Sequence, residues 1–374
     1  MSLLSNKQKT PAQTVIHEVC RIKKGETVLI IANPETNIIA QDLYLAAQEA
    51  EAKPTLMYQP KKSIMDMAEK TVIGAIKTEP DVIFSISANK LGKDADAIAN
   101  PYTMDNGETY DNTFDYLLTG KKCIRAVWTP GLTLDMFNRT VQIDYDLLRK
   151  RCDAICALYE DALSVHVTSP GGTDVLVPVN DRQALVDDGD FSKPGSGGNV
   201  PSGEVFISPQ LPGVGESKGI SGTIVFDGSM TFSTGDAMLK TPITVKVNDG
   251  YVGDISGGEE AKRLLKDITT AEKEALLMES SGKLEKGQGV IYSRNARNIG
   301  ELGIGLNPVA NITGNMLEDE KAFRTCHFAI GQNYDGDAPA LIHFDGIVRE
   351  PTLTINYRDG HSYTLIENGN LKLD

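Results

Sequence analysis

The sequence predicts two domains: an α/β domain with a parallel sheet and flanking helices over residues 1–160, and an α+β, mainly antiparallel β-rich domain over residues 161–374. Three observations predict this. A chain of 374 residues exceeds the usual size of a single core. Its first part alternates β-branched runs with amphipathic stretches, and its second part is a series of short alternating runs separated by turn signals.

In the first part, Thr27-Val-Leu-Ile-Ile-Ala32 is a buried-strand pattern closed by Asn33-Pro34. From Ile38 to Ala52, apolar residues at 39, 43, 46, 47 and 50 fall near helical spacing. Pro54 to Tyr58 reads as a second strand, Ile64 to Ile76 as a helix, Asp81 to Ile86 as a third strand, Cys123 to Val127 as a fourth, and Tyr145 to Leu158 as a helix. Strands and helices alternating at this length form a parallel, Rossmann-like layer. The turn Ala32-Asn-Pro-Glu-Thr36 lacks the glycines that admit a pyrophosphate, no Gly-Lys-Ser/Thr phosphate loop occurs, and Pro212-Gly-Val-Gly-Glu216 reads as simple turn chemistry. A classical nucleotide site is therefore not expected.

In the second part, Ser164 to Val167, Thr173 to Val179, Glu204 to Ser208, Gly222 to Phe226 and Ile243 to Val247 alternate with a period of two. The turns between them include Pro170-Gly-Gly172, Asp227-Gly228 and Asn248-Asp-Gly250. A helical hairpin is expected from Glu259 to Ser280, with Ala261, Leu264, Leu265 and Ile268 as one core stripe and Leu276 and Leu277 as another. A Gly/Ser/Pro-rich loop ending in Gly197-Gly-Asn-Val-Pro-Ser-Gly203 delivers the chain into the Glu204 strand.

Composition narrows the function. With 37 Lys+Arg against 51 Asp+Glu, the net charge of −14 argues against nucleic-acid or anionic-membrane partners. No apolar run reaches the roughly 18 residues of a membrane span, and Met1 to Lys9 is polar without a signal-peptide core, so the chain reads as cytoplasmic. Five cysteines, an odd number, argue against a disulfide framework; Cys152 and Cys156, four apart on a helix, read as buried thiols rather than metal ligands.

The five histidines are the scarcer resource, and His327, His343 and His361 lie in the last fifty residues. In Ala340-Leu-Ile-His-Phe-Asp-Gly346, an extended backbone would put His343 and Asp345 on one face, as metal ligands or as a hydrogen-bonded structural pair. His327, after an apparent strand from Phe323 to Cys326, would meet His343 across a short Gly/Asp/Pro-rich return, with Tyr334 at the loop end as a proton donor or acceptor. Glu204 and Glu301 stand among apolar or small residues and require a partner if buried: a metal, or one of Arg294, Arg297 and Arg324. Three carboxylates and two imidazoles suit two divalent ions bridged by a carboxylate, which can activate a shared hydroxide for attack on an amide.

The segments Asn199-Val-Pro-Ser-Gly-Glu-Val-Phe206, Gly300-Glu-Leu-Gly-Ile-Gly-Leu-Asn-Pro308, Asp319-Glu-Lys321 followed by His327, and His343-Phe-Asp345 resemble, in that order, the aminopeptidase T and aminopeptidase S family of co-catalytic metallo-aminopeptidases. The resemblance runs from about Val15. It implies a β-rich catalytic second domain, a dimer enclosing the active site, Glu204, Glu301, His327, His343 and Asp345 as metal ligands with Glu301 as bridge, and Tyr334 as the active-site tyrosine. The connection between His327 and His343, and the chain itself, are shorter than the family usually has. The same C-terminal framework is shared by ring-opening dihydroxypyridine dioxygenases, which resemble this chain but hold one iron by His/His/Asp, with a histidine where Glu301 stands.

Because both glutamates are present, the expectation is a hydrolase, a zinc-, cobalt- or manganese-dependent aminopeptidase (a metalloprotease) acting on short peptides as a homodimer. Tyr334 and Glu301 would be catalytic, with Glu204 and Asp345 serving one ion and His327 and His343 the other. The alternatives are a mononuclear-iron ring-cleaving dioxygenase and a metal-free binding scaffold.

Overall fold

A computed structural model describes residues 9–63, 66–213 and 218–373. The start of the helix expected at Ile64, the N-terminal residues before Lys9 and the end of the turn expected over 212–216 lie outside the described residues. The chain forms two compact units: residues 1–149 with 187–202, and residues 150–186 with 203–374. The sequence reading draws a single cut at residue 160 and leaves 187–202 in the second part.

The first unit is built on a parallel sheet in the order 197–198, Arg125–Trp128, Val82–Ile86, Thr27–Ala32, Lys53–Tyr58. The alternation of strand and helix is as expected, with helices at Asn37–Glu49 and Lys70–Ile76, the latter starting later than the sequence pattern suggested. The central strands are buried, Val82–Ile86 along its whole length and Thr27–Ala32 from Val28 onward, which explains their unbroken apolar runs. The buried Asn33 closes the first turn: its side-chain amide donates to the Gln59 carbonyl at 3.0 Å and its oxygen accepts from the Ala88 amide at 2.6 Å.

The second unit contains two antiparallel sheets. One runs through Ala162–Thr168, Asp174–Pro178, Ser221–Phe226, Ile243–Asn248 and the C-terminal strands from Thr352. The other is centred on Glu204–Ile207, Ile299–Gly305, Thr325–Gly331 and His343–Arg349, in that order. Its two middle strands are buried along their whole length. The sheets close on each other where Gly346 faces Phe226: a Cβ at Gly346 would stand 2.4 Å from that ring.

Two expectations are corrected here. Glu259–Ser280 is one continuous helix, not a hairpin, because nothing in it breaks the backbone: it has neither Gly nor Pro, and the turn falls after Ser281. Ala261, Leu264 and Ile268 are buried as expected, but Leu265, Leu276 and Leu277 are exposed, because a single straight helix keeps only one stripe against the sheet. In addition, His327 lies inside the strand Thr325–Gly331 rather than after it.

Phe226 is fully buried where the two sheets meet. Phe226→Ala should cost about 3–5 kcal/mol, read as a lower urea midpoint; a loss under about 1 kcal/mol would mean that the sheets close without it.

Candidate metal centre

The four central strands carry the site residues on one face by register alone. In antiparallel pairs, directly opposed residues share a face. Gly303 opposes His327, Ala329 opposes Asp345, Gly331 opposes His343 and Glu204 opposes Gly305. With two-residue alternation, Glu301 joins Gly303, and Asp345 joins His343. A register irregularity between Ile299 and Glu301 sits at the point where the glutamate enters the cluster.

The ligand-type atoms converge. The His327 Nε2 lies 3.0 Å from Glu301 Oε1 and 3.6 Å from Glu204 Oε2. The His343 Nε2 lies 3.4 Å from Glu301 Oε2 and 3.3 Å from Asp345 Oδ1. All five candidate ligands are thus brought together, and Glu301 stands between the two imidazoles. The structure groups them differently from the expected division: Glu301, His343 and Asp345 form one set able to hold an ion, and Glu204, Glu320 and His327 the other.

Glu320 and Lys321 are the residues the sequence reading missed. Lys321 is completely buried, with Nζ 2.7 Å from Glu204 Oε1 and paired also with Glu320 Oε1. Both follow the short helix Met316–Asp319, which is fixed by its own carboxylates: Asp319 accepts from the Thr313 and Gly314 amides and the Ser229 hydroxyl, and Glu318 from the Asn311 amide. Both stand in the segment Asp319-Glu-Lys321 that carries part of the family resemblance, but the sequence reading assigned neither a role. None of the arginines considered as partners serves the two glutamates: Arg297 pairs with Glu272 and Arg324 with Glu350. His361 is exposed and pairs with Asp359. Cys152 and Cys156 belong to neither ligand set.

Tyr334 is exposed, with its ring 5.3 Å from that of His343 and 5.0 Å from that of Phe206. Its loop is clamped. The nearly buried Arg182 guanidinium reaches Asp337 at 2.9 Å and Asp335 at 3.5 Å, and the Asn333 side chain accepts from the Ala338 amide.

The donor chemistry fits a divalent metal. Glu204 Oε2 and Asp345 Oδ1 are buried without a hydrogen bond among the described residues, a costly state for a carboxylate oxygen unless a cation faces it. The set is all oxygen and imidazole nitrogen, which suits Fe, Mn or Zn rather than a thiolate-seeking ion. His343 is also oriented from behind: its Nδ1 lies 2.8 Å from the Gln332 carbonyl, so Nδ1–H donates there and Nε2 keeps its lone pair toward Glu301 and Asp345.

Without a metal, the charges rearrange around protons. Burial raises Glu204 to about 8, opposed by Lys321 and assisted by Glu320. Burial would also raise Glu301, but its hydrogen bonds to His327 and His343 reverse this and hold it near 2. Burial would lower His327, yet Glu301 lifts it to about 9. His343 is carried well above its ordinary value against its burial, first by Asp345 and then by Glu301.

Two predictions follow from the geometry. A Cβ at Gly303 would stand 2.0 Å from the His327 Nε2, so Gly303→Ala must displace that ring. Divalent-ion affinity should fall roughly 10- to 100-fold, measured by Mn titration calorimetry, and unchanged affinity would show the ring to be dispensable. The second concerns pH. The His327 contribution to metal-free stability is complete below 6.5 and disappears as pH rises through about 9. Glu204, raised to about 8, keeps a proton that the unfolded chain gives up from about 4.5, so its contribution also falls with rising pH. In EDTA the melting temperature should therefore drop between pH 6.5 and 9, while added divalent ion should stabilise more as pH rises, because ligands bind metal unprotonated. A melting temperature rising over that range in EDTA would contradict the assignment.

Comparison with known proteins bears on the reaction. A relative from Pseudomonas putida (strain KT2440), 2,5-dihydroxypyridine 5,6-dioxygenase, is 29% identical over 154 residues, 40% of this chain and 39% of the relative, so the matched stretch spans about two fifths of its length. The solved 2,5-dihydroxypyridine dioxygenase from Pseudomonas putida KT2440 covers 97% of both chains with a TM-score of 0.67 at 17% identity. Wild-type AmpT from Thermus thermophilus covers 97% of this chain and 98% of its own, with a TM-score of 0.65 at 15% identity. At these identities both structures establish the fold: an α/β part and a β-rich part, related to that of aminopeptidase T. The expectation of a hydrolase, a metallo-aminopeptidase with peptide substrates, is overturned, because the family model and the curated relative both name a dioxygenase. The ligand-type residues common to the two readings could not separate them. The model of NicX, 2,5-dihydroxypyridine 5,6-dioxygenase, matches residues 119–359, more than half of the chain, and the chain belongs to that family.

Proposed function

We propose that this chain is a metal-dependent dioxygenase that opens the ring of a hydroxylated pyridine with O2. The observation that carries the reading is the set Glu301, His343 and Asp345 in a chain of the NicX family: one imidazole and two carboxylates converging on one point. The expected histidine in place of Glu301 is absent, so the set here is His/Glu/Asp and more anionic than His/His/Asp. Such a set holds Fe(II), which when bound supplies the one-electron chemistry that O2 needs to react with a closed-shell ring.

The remaining work belongs to the protein. His343 is held by the Gln332 carbonyl, so its Nε2 is presented as a donor atom in one orientation. His327, bonded to Glu301 Oε1, keeps that carboxylate ionised and fixes its second oxygen toward His343. Tyr334, against the His343 ring and clamped through its loop by Arg182, is placed to offer its hydroxyl to a ring oxygen or nitrogen of a substrate. A planar heteroaromatic also suits the Phe206 and Tyr334 rings as a stacking surface.

The test is direct. Protein loaded anaerobically with Fe(II) and mixed with 2,5-dihydroxypyridine should consume one O2 per ring in an oxygen electrode, with loss of the aromatic absorbance. Asp345→Ala should lower the rate by at least about 100-fold. No oxygen uptake with any dihydroxypyridine would sink the reading.

A further inference from the structure

We propose that the first unit carries a ligand site of its own, at the edge of its parallel sheet where the strands end, and that this site takes a small aromatic carboxylate. Every residue that lines it belongs to the first unit, and it is independent of the reaction proposed above. Three observations on one cavity carry it.

The first is where the cavity lies. In open α/β sheets, ligands sit beyond the carboxyl ends of the strands. Val82–Ile86 and Arg125–Trp128 run side by side in parallel, with Ser85 opposite Trp128. At their ends opens a cavity of about 300 Å³, lined in part by Ser85, Ser87, Trp128 and Thr129, a size that suits a small molecule. Two-residue alternation puts Ile83, Ser85 and Ser87 on one face, beside Ala126 and Trp128 of the neighbouring strand. Ile83 and Ala126 belong to the apolar core on that face. The face thus changes from core to hydroxyls as it reaches the cavity.

The second is the state of those hydroxyls. Ser85, Ser87 and Thr129 are all buried, at 4%, 2% and 1% exposure. The Ser85 and Ser87 Oγ atoms lie 3.0 Å apart and bond to each other, so two O–H protons share one hydrogen bond and one proton has no acceptor among the described residues. The Thr129 Oγ1 has no partner at all among them. Buried donors left unmet are costly, and a ligand that brings several acceptor oxygens together, as a carboxylate does, removes that cost.

The third is the rest of the wall. Phe114 and Trp128 both line the cavity and stand edge to face, with centroids 6.3 Å apart and planes at 86°. Two perpendicular rings form a corner in which a flat ring meets one by its face and the other by its edge. Charge agrees with the hydroxyls. Lys90 and Lys93 line the cavity against a single acidic side chain, Asp115, in a chain whose net charge is −14. Burial, and then the nearby Asp111, shift the Asp115 carboxyl upward, toward its neutral form, so it opposes an anion less than a surface aspartate does.

Trp128 is the sole tryptophan of the chain, so its fluorescence reports on this cavity directly. Benzoate titrated into the full-length protein should quench that fluorescence saturably, with a Kd of about 0.1–1 mM. Benzamide, the neutral analogue, should bind at least about 10-fold more weakly. Thr129→Val, which removes the hydroxyl and keeps the shape, should weaken benzoate binding about 10-fold. Lys90→Gln, at an exposed position where folding is not at risk, should weaken it about 3-fold. No saturable quenching up to about 10 mM benzoate, benzamide binding as tightly as benzoate, or benzoate binding unchanged in both variants would each overturn the proposal. None of these readouts uses turnover, so their failure would leave the proposed ring opening standing, and a failure of ring opening would leave this site standing.

Discussion

The Glu301 carboxylate, buried between two imidazoles, is the constraint around which the second unit is arranged. Its two oxygens face His327 and His343, which lie on two further strands, so a single anion holds three strands of the sheet in register. This placement explains features that otherwise look unrelated. Gly303 has no side chain because the His327 ring occupies its space, and Gly305 has none because the Ala322 carbonyl would lie 2.1 Å from a Cβ there. A strand that must carry a buried carboxylate past a histidine leaves little room for anything else. Asn298, just before it, donates to the Gly331 carbonyl and ties the same pair of strands at the other end.

Much of this was legible in the sequence. Two-residue alternation put His343 and Asp345 on one face, and the apolar setting of Glu204 and Glu301 implied buried charges in need of a partner. The parallel layer also followed from its unbroken apolar runs. Glu320 and Lys321 were not legible, because their role depends on where the Met316–Asp319 helix lies, and that depends on hydrogen bonds from Thr313, Gly314 and Ser229. Nor could spacing say that Leu276 and Leu277 would face solvent. Once the presumed hairpin is a straight helix, its apolar positions point around the axis instead of into one core.

The reaction was the hardest part to read, for a chemical reason. Carboxylates and imidazoles on one face announce a divalent ion, but the same donors serve ions that polarise water and ions that react with O2. A fold related to that of aminopeptidase T adds no preference, since one framework can host unrelated chemistries. What separated the two was the match of the chain to the dioxygenase family, not the identity of the ligands.

The unequal burial of the centre also sets an order of events. Glu301 and His327 are sealed, while the His343 side chain remains 26% exposed. An arriving ion therefore meets His343 at the surface, and the sealed donors can close on it only afterwards. Departure would run in reverse, with the sealed donors opening first and His343 at the rim letting go last. The centre is thus a one-ended well, in which the histidine at the rim governs the rate of exchange and the carboxylates at the bottom govern retention.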